Sequence, residues 1–187
     1  MIPRFLEYLG ALFGVSELLL AIVKRSKGDS VSKDRGSLWM LWAVILTSIA
    51  LANALVVLLP QAESGSLHSI RLLGAVLFVG GLSLRWYAIA YLGRSFTVNV
   101  AVSAGQKVID TGPYRLIRNP SYTGALVAFL GLGICSGNYA SMLVLILPVT
   151  LAFLRRIAIE EAVLGESLGS SYVAYAARTK RLIPWIY

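Results

Sequence analysis

Long apolar runs separated by short polar and basic connections dominate the pattern of this 187-residue chain. A helix needs about 20 apolar residues to cross the ~30 Å hydrocarbon core of a bilayer. Three runs of that length predict membrane spans: Ile2–Val23, Leu38–Leu59 and about Leu67–Tyr91. Two shorter runs, Tyr122–Cys135 and Tyr139–Phe153, predict a helical hairpin closed by a Ser-Gly-Asn turn. The pattern therefore predicts an all-α integral membrane protein with five transmembrane helices.

Composition supports a membrane location and argues against a nucleic-acid ligand. Hydrophobic residues make up 57% of the chain and charged residues only 14%, whereas a soluble domain normally carries about a quarter charged residues. The formal charge is +8, but Lys and Arg lie in the gaps between apolar runs rather than in a basic, aromatic-rich surface. We therefore expect membrane lipids around the protein, no nucleic-acid partner and no obligate protein partner.

The distribution of basic residues predicts the orientation of the helices. The first and third connections and the segment after the last apolar run are rich in Lys and Arg, whereas only Arg4 and Arg71 oppose them. Since cytoplasmic loops carry the excess of basic residues, the N-terminus is predicted outside and the C-terminus in the cytoplasm. The basic, aromatic tail Arg178–Tyr187 is expected to lie along the lipid headgroups as an interfacial element. We expect a single membrane domain, 1–187, whose first part, 1–66, is a two-helix anchor.

Metal and thiol chemistry is not indicated by the sequence. Cys135 is the single cysteine and lies in an apolar run, and His68 is the single histidine. One cysteine excludes an intrachain disulfide and a cysteine-cluster metal site. We therefore predict that the protein holds no metal ion.

Gly93–Pro120, about 28 residues long, is the longest connection between apolar runs, and it leads directly into the start of the next run. Within it, Gly112–Gly124 reads GPYRLIRNPSYTG. Loops of this length in compact domains are usually functional or disordered, and polar groups at a membrane face are expected where a polar ligand binds. The alternative is a basic loop that only contacts lipid headgroups.

Charged residues within or beside apolar runs are further candidates. Arg156 and Glu160 share a helical face because they lie four residues apart. They form either a plain salt bridge or a site in which Glu160 holds an amino-bearing ligand and Arg156 an anionic one. Glu17 is a candidate substrate-binding residue because intramembrane carboxylates are costly and often functional. The GxxxG formed by Gly10 and Gly14 predicts close helix packing.

These segments resemble the isoprenylcysteine carboxyl methyltransferase family of integral membrane enzymes. The resemblance rests on Gly112–Gly124, the pair Glu160–Glu161, LGSSYVAY at Leu168–Tyr175 and RLIP at Arg181–Pro184. It covers about 92–187, which it implies is the cofactor-binding, catalytic half. It also implies an S-adenosylmethionine site without a Rossmann fold, built from a cytoplasmic segment between helices 3 and 4 and from the end of the last helix. The first two spans match the family only in hydropathy.

The resemblance implies a role for particular residues. Arg156 and Glu160 are the catalytic pair, with Arg156 at the acceptor group of the substrate. The implied cofactor-binding residues are Asn99, Gln106, Lys107, Val108, Ile109, Tyr114, Asn119, Pro120, Ser121, Tyr122 and Glu160. Asn119 stands where the family usually has histidine, and Gln106 where histidine is common. Because an asparagine amide does not titrate, proton transfer at position 119 is excluded.

The implied activity is transfer of a methyl group from S-adenosylmethionine to a lipophilic or lipidated, membrane-embedded acceptor, with the active site facing the cytoplasm. A prenylcysteine-type carboxylate is the first choice, because a carboxylate with a pKa near ~4 is already ionised and needs mainly alignment. A phenolic lipid, with a pKa near ~10, would need a base. It remains an alternative, as does a phospholipid amine. A further alternative is a nicotinamide-dependent membrane reductase of the sterol reductase type.

Overall fold

Six α-helices make up most of the protein that the computed structural model describes, residues 4–23, 35–59, 66–93 and 108–187. They are α1 (Arg4–Val23), α2 (Arg35–Leu58), α3 (Ser66–Leu92), α4 (Pro120–Ser136), α5 (Tyr139–Leu168) and α6 (Ser170–Arg178), with a 3₁₀ helix at Gly112–Arg115. Strand-like pairing in these residues is limited to one isolated parallel bridge between Ile117 and Lys180. The all-α prediction is confirmed, and each predicted apolar run is a helix.

Three of the described helices are long and apolar enough to cross a membrane: Gly36–Leu58, Ser69–Leu92 and Tyr139–Leu168. Two shorter apolar stretches, Tyr8–Leu20 in α1 and Pro120–Ser136 in α4, accompany them. Large apolar side chains are exposed along all of these helices, and an apolar outer surface of that extent is typical of contact with lipid. The protein is therefore an integral membrane protein.

The contact between α3 and α4 is the most extensive in the bundle, and glycines line it. Gly74 and Gly81 on α3 face Gly131 and Gly124 on α4. A Cβ atom at Gly81 would lie 2.4 Å from the backbone nitrogen of Ala128, and one at Gly131 would lie 2.4 Å from the carbonyl oxygen of Gly74. Small residues let two helix backbones approach closely, so these glycines set the distance between the two helices.

The predicted packing role of Gly10 and Gly14 is wrong for the described part of the chain. Both glycines are exposed, and a Cβ atom at either position would meet nothing within 4 Å. A GxxxG spacing permits a close approach but does not supply the neighbouring helix. Gly10 instead borders a cavity of about 490 Å³ between α1, α2, α4 and α5, whose lining includes Phe13, Phe129 and Leu145.

The predicted hairpin between α4 and α5 is confirmed. Gly137 caps α4 in the left-handed conformation, with φ of 67°, which costs a residue without a Cβ atom little. Asn138 then begins α5: its Oδ1 accepts from the backbone N–H of Ser141 at 2.9 Å, and its Nδ2 donates to the carbonyl of Leu59 at 2.7 Å. The turn reverses the chain, so the start of α4 lies beside the second half of α5.

Candidate functional site

Arg156 and Glu160 lie where α5 continues beyond its apolar half. The Nε of Arg156 donates to the Oε1 of Glu160 at 2.7 Å, as expected for side chains one helical turn apart. The guanidinium is only 2% exposed, whereas the Glu160 side chain is 24% exposed. A buried cation needs further partners, and Ser37 of α2 accepts from its Nη1 at 2.7 Å. The salt bridge considered from the sequence is therefore present, and it holds a deeply buried arginine.

Tyr122, in the first turn of α4, completes this arrangement. Its hydroxyl donates to the Oε1 of Glu160 at 2.7 Å, and its ring packs against Phe153 with centroids 5.1 Å apart. Both bonds to Glu160 end on the same oxygen, Oε1. Since a carboxylate has about four acceptor positions, its second oxygen retains the capacity to bind a cationic donor.

The neighbouring carboxylate, Glu161, is the centre of a second cluster. Its Oε1 accepts from the Nε of Arg118 at 2.9 Å and from the Nδ2 of Asn119 at 3.1 Å, and its Oε2 accepts from the Nε of Arg181 at 2.9 Å. Asn119 thus supplies a neutral hydrogen-bond donor to this cluster. The cluster joins α5 to the start of α4 and to the segment after α6.

Backbone pairing reinforces that connection. The N–H of Arg118 donates to the carbonyl of Lys180 at 2.7 Å, and that of Asn119 donates to the carbonyl of Arg181 at 3.1 Å. The hydroxyl of Thr123 donates to the carbonyl of Leu182 at 2.8 Å. The segment after α6 therefore packs directly on the loop that opens α4.

Tyr114 lies in the 3₁₀ helix and is buried. Its hydroxyl donates to the carbonyl of Ala88 at 3.2 Å, and its own carbonyl accepts from the hydroxyl of Tyr175 in α6 at 2.8 Å. Burial raises the pKa of the Tyr114 phenol well above its ordinary value, and nearby Tyr175 and Glu160 raise it further. The phenol is therefore neutral at physiological pH and acts as a hydrogen-bond donor that ties the loop to α3.

Glu17 and Arg85 form a separate ion pair between α1 and α3. The Nε and Nη2 of Arg85 donate to the two carboxylate oxygens of Glu17 at 2.6 and 2.7 Å. Its Nη1 also lies 3.3 Å from the carbonyl of Ser121. Because that bond reaches the residue next to Tyr122, the pair borders the Arg156–Glu160 cluster. Glu17, a predicted substrate-binding residue, is thus engaged by a bidentate arginine.

The structure brings together most of the predicted site residues that it describes. Those that meet at one end of the bundle are Glu17, Tyr114, Asn119, Pro120, Ser121, Tyr122, Arg156 and Glu160. Val108 and Ile109 begin the last described segment and are half-buried. Asn99, Gln106 and Lys107 lie outside the described residues. No group of three or more potential metal ligands occurs in the described residues.

Four residues of the cluster were not predicted: Arg118, Arg181, Arg85 and Ser37. Arg118 lies in the motif Gly112–Gly124 and Arg181 in the motif Arg181–Pro184, so membership of a motif was a signal that could have identified both. Ser37 is 119 residues from Arg156, and no local pattern distinguishes it from other serines. Arg85 differs from ordinary loop arginines only in lying at the end of an apolar run.

Comparisons with known proteins give consistent results. The family model of the phospholipid methyltransferases matches residues 69–171. The chain is 32% identical over 115 residues to protein-S-isoprenylcysteine O-methyltransferase B of Arabidopsis thaliana, covering 60% of this chain and 58% of that protein. It is 30% identical over 145 residues to a probable protein-S-isoprenylcysteine O-methyltransferase of Oryza sativa, covering 76% of each.

A solved structure is similar over nearly the whole chain. It is a eukaryotic intramembrane Ras methyltransferase, isoprenylcysteine carboxyl methyltransferase, with a TM-score of 0.70 and 27% identity. The match covers 95% of this chain but 64% of that one. The chain thus spans less than two thirds of the length of this protein and of the Arabidopsis relative.

Proposed function

Because the chain belongs to the isoprenylcysteine carboxyl methyltransferase family of membrane methyltransferases, we propose that it methylates a carboxylate on a lipophilic acceptor held in the membrane. A prenylcysteine-type or otherwise lipidated carboxylate is the first candidate, with S-adenosylmethionine as the methyl donor. The observation that carries this proposal is the buried guanidinium of Arg156 beside the more accessible carboxylate of Glu160, at the end of an apolar helix.

The residues present fit an S-adenosylmethionine molecule by their chemistry. Glu160 offers a carboxylate oxygen that can bind the amino group of the donor, since its two observed bonds use only Oε1. Tyr122 orients Glu160, while Tyr114 and Asn119 hold the loop that forms the opposing wall. Pro120 and Ser121 begin α4 at the same place. The remaining members of the proposed donor site are Asn99, Gln106, Lys107, Val108 and Ile109.

Arg156 is the proposed acceptor-binding residue. A guanidinium binds a carboxylate through two parallel hydrogen bonds, and burial strengthens that attraction because little water screens it. Ser37 and Glu160 keep the guanidinium in one orientation. Glu17 contributes to the acceptor site through Arg85 rather than as a free carboxylate.

The bound sulfonium would supply an activated methyl group, so the protein needs to align the reactants more than to transfer protons. Alignment alone is worth up to about 7–11 kcal/mol of a barrier when the geometry is well held. Arg156 orients the acceptor, and Glu160 anchors the donor. The non-titrating Asn119 is compatible with this division because no proton has to move there.

The proposed topology has five transmembrane helices, with the N-terminus outside and the active site facing the cytoplasm. The positive-inside distribution of basic residues supports it, as does the position of the site at the end of the bundle opposite the α4–α5 turn. In this arrangement 1–66 serves as the two-helix anchor and 92–187 as the catalytic half. Through Glu17 and Ser37 the anchor also contributes to the site.

A methyl-transfer assay with the purified, solubilised protein tests the activity. Labelled S-adenosylmethionine and N-acetyl-S-farnesylcysteine, a minimal prenylcysteine carboxylate, are the substrates, and the product is a base-labile methyl ester. Absence of donor binding by calorimetry would refute the proposal. Donor binding with methylation only of phosphatidylethanolamine would instead favour N-methylation of a phospholipid amine. The match to the phospholipid methyltransferase family model supports that second candidate.

Two charge-removing variants separate the proposed roles. Glu160→Gln removes a charge-assisted bond worth about 1.5–3 kcal/mol, so donor Kd should rise about 10–150-fold. Arg156→Gln should leave donor Kd within about threefold and raise the acceptor KM or lower kcat by at least tenfold. Arg155→Gln is the matched control, because Arg155 is the exposed neighbour of Arg156 on the same helix. Equal effects of Arg155→Gln and Arg156→Gln would contradict the assignment.

Single-cysteine labelling tests the topology. In a Cys135→Ser background, cysteines placed at Tyr139 and at Ser171 lie at opposite ends of the bundle and are both exposed in the structure. An impermeant maleimide should label position 139 from outside sealed right-side-out vesicles and position 171 only after permeabilisation. Labelling of both from outside would contradict the proposed orientation.

A further inference from the structure

The last seven residues, Arg181–Tyr187, form a tight turn, called here the closing turn. The N–H groups of Leu182 and Ile183 donate to the carbonyl of Tyr187 at 2.7 and 2.8 Å, and the N–H of Tyr187 donates to the carbonyl of Ile183 at 3.1 Å. The side chain of Arg181 also donates to the Tyr187 hydroxyl at 3.0 Å. Because these N–H groups are paired within the turn, they can lie in the membrane interface at little cost.

The closing turn projects large apolar side chains outward. Leu182 is buried and anchors it, whereas Ile183, Trp185 and Ile186 are 49%, 84% and 74% exposed. Trp185 has a φ of 63°, a left-handed conformation that bulky residues rarely adopt. Such a conformation persists only when the surrounding structure imposes it. In this conformation Trp185 and Ile186 are the two most exposed residues of the turn.

The position and charge of the closing turn indicate what it contacts. It is bonded to Thr123 in the first turn of the apolar helix α4 and to Glu161 on the membrane-length helix α5, so it lies where both helices end their apolar stretches. Lys180, the residue before the turn, is exposed, and so is Arg115 in the 3₁₀ helix of the loop on which the turn packs. Tryptophan and basic side chains together favour the boundary between hydrocarbon and anionic headgroups.

We propose that the closing turn inserts into the membrane interface and binds anionic lipid headgroups, and that this insertion stabilises one wall of the donor site. The coupling runs through Arg181, which donates to Glu161 and whose carbonyl accepts from the N–H of Asn119. The coupling, but not the insertion, rests on the proposed function. The sequence predicts that the tail Arg178–Tyr187 lies along the headgroups; the proposal assigns the contact to the closing turn and to its exposed side chains.

Quenching of tryptophan fluorescence by brominated lipids tests the insertion, and this measurement does not depend on enzymatic activity. The full chain is placed in nanodiscs of phosphatidylcholine brominated near the headgroup end of the acyl chains, with or without phosphatidylglycerol. The fluorescence difference between wild type and Trp185→Phe isolates the Trp185 emission. We expect that emission to be strongly quenched, and more so with phosphatidylglycerol. Unquenched Trp185 emission overturns the insertion. The same result is expected if another protein, rather than lipid, covers Trp185.

Donor affinity tests the coupling. Calorimetry with S-adenosylmethionine in nanodiscs with and without phosphatidylglycerol should show tighter binding with the anionic lipid. The exposed double variant Trp185→Ser/Ile186→Ser should weaken binding by roughly tenfold, the effect of loosening one hydrogen bond to a charged group, and should remove the lipid dependence. Tyr139→Ser, an exposed aromatic at the opposite end of the bundle, is the matched control and should change neither.

The outcomes distinguish this inference from the proposed function. If the wild type binds no S-adenosylmethionine in either lipid, the proposed function and the coupling fail together, while the quenching measurement still decides the insertion. If the double variant binds the donor as tightly as Tyr139→Ser, the coupling is refuted and the proposed function stands.

Discussion

Replacing Gly81 by alanine should separate α3 from α4 and destabilise the protein. A Cβ atom at this position would lie 2.4 Å from the backbone nitrogen of Ala128 and 2.6 Å from the carbonyl oxygen of Gly124. Both atoms belong to helical backbone, so no side chain can rotate away. Since Cβ contacts below 3.0 Å essentially do not occur, the helices must move apart by about 0.6 Å, the difference between 3.0 and 2.4 Å.

The size of the effect follows from that displacement. A gap of about 0.5–1 Å forfeits a quarter to a half of the contact energy of the atoms involved, and overpacking by one methyl group typically costs about 1–3 kcal/mol. For a chain of this size, each kcal/mol lowers Tm by about 2–4 °C. A central value of about 2 kcal/mol therefore predicts a Tm for Gly81→Ala roughly 4–8 °C lower than that of a glycine-to-alanine variant in the same helix that lacks this overlap. Against the wild type the decrease should be about 2–4 °C, because alanine regains about 1 kcal/mol through its higher helix propensity.

Gly80→Ala is the matched control, because Gly80 is the preceding residue of α3 and an added Cβ atom there would meet nothing within 4 Å. The gain of about 1 kcal/mol from the higher helix propensity of alanine applies to both variants, so it cancels when they are compared. Thermal unfolding in detergent, followed by circular dichroism, measures the difference. Tm values for the two variants within about 2 °C of each other would refute the close α3–α4 contact. Because Arg85 lies one turn beyond Gly81, Gly81→Ala should also lower methyl-transfer activity.

Three further predictions concern the polar contacts around the site. Glu17→Gln leaves Arg85 buried without its carboxylate, so the free energy of unfolding should fall by about 3–5 kcal/mol. The double variant Glu17→Gln/Arg85→Met should recover most of that loss in the same unfolding assay. An equal loss of stability in the single and the double variant would contradict the pairing. Ser37→Ala should raise the acceptor KM several-fold and leave the donor Kd unchanged, because Ser37 positions Arg156. Ser37→Thr, which keeps the hydroxyl, should behave as wild type in steady-state kinetics. A changed donor Kd in Ser37→Ala would disprove the positioning role of Ser37. Burial raises the pKa of Tyr175 from 10.0 to about 12. The contribution of Tyr175 to stability is therefore complete below about pH 10, the pKa in the unfolded state, and is lost as the pH rises through about 12. Across this pH range Tm should fall less steeply for Tyr175→Phe than for the wild type. Identical slopes of Tm against pH would exclude Tyr175 as a cause of the alkaline loss of stability.

Much of the fold could be predicted from the sequence because the forces that decide it are local. Apolar runs longer than about 17 residues form helices in lipid, since every backbone group must be paired within the segment. The turn at Gly137 and Asn138 is likewise local, because a glycine that adopts positive φ and an asparagine cap act within four residues. The pairing of Arg156 with Glu160 follows from their spacing on one helix.

The candidate site itself depends on contacts between distant parts of the chain. Glu160 and Glu161 are adjacent and chemically identical, yet one binds Arg156 and Tyr122 while the other binds Arg118, Asn119 and Arg181. Which carboxylate has which partners depends on the rotation of α5 against α4. The assignment of donor and acceptor roles to these residues stays a prediction until the variants above are measured.

The sequence by itself determined where this chain is helical, which segments are apolar enough to lie in a membrane, and which polar motif interrupts them. Only the tertiary structure decided which residues of the same type have a structural role. Gly81 and Gly131 are packed against backbone atoms of a neighbouring helix. Gly10 and Gly14 form the GxxxG motif that predicts close packing, yet an added Cβ atom at either position would have no atom within 4 Å. A glycine, an arginine or a glutamate has the same local conformational preferences whether or not it takes part in a contact between helices. Their contribution depends on which helix lies opposite, and that is set by the packing of the whole bundle.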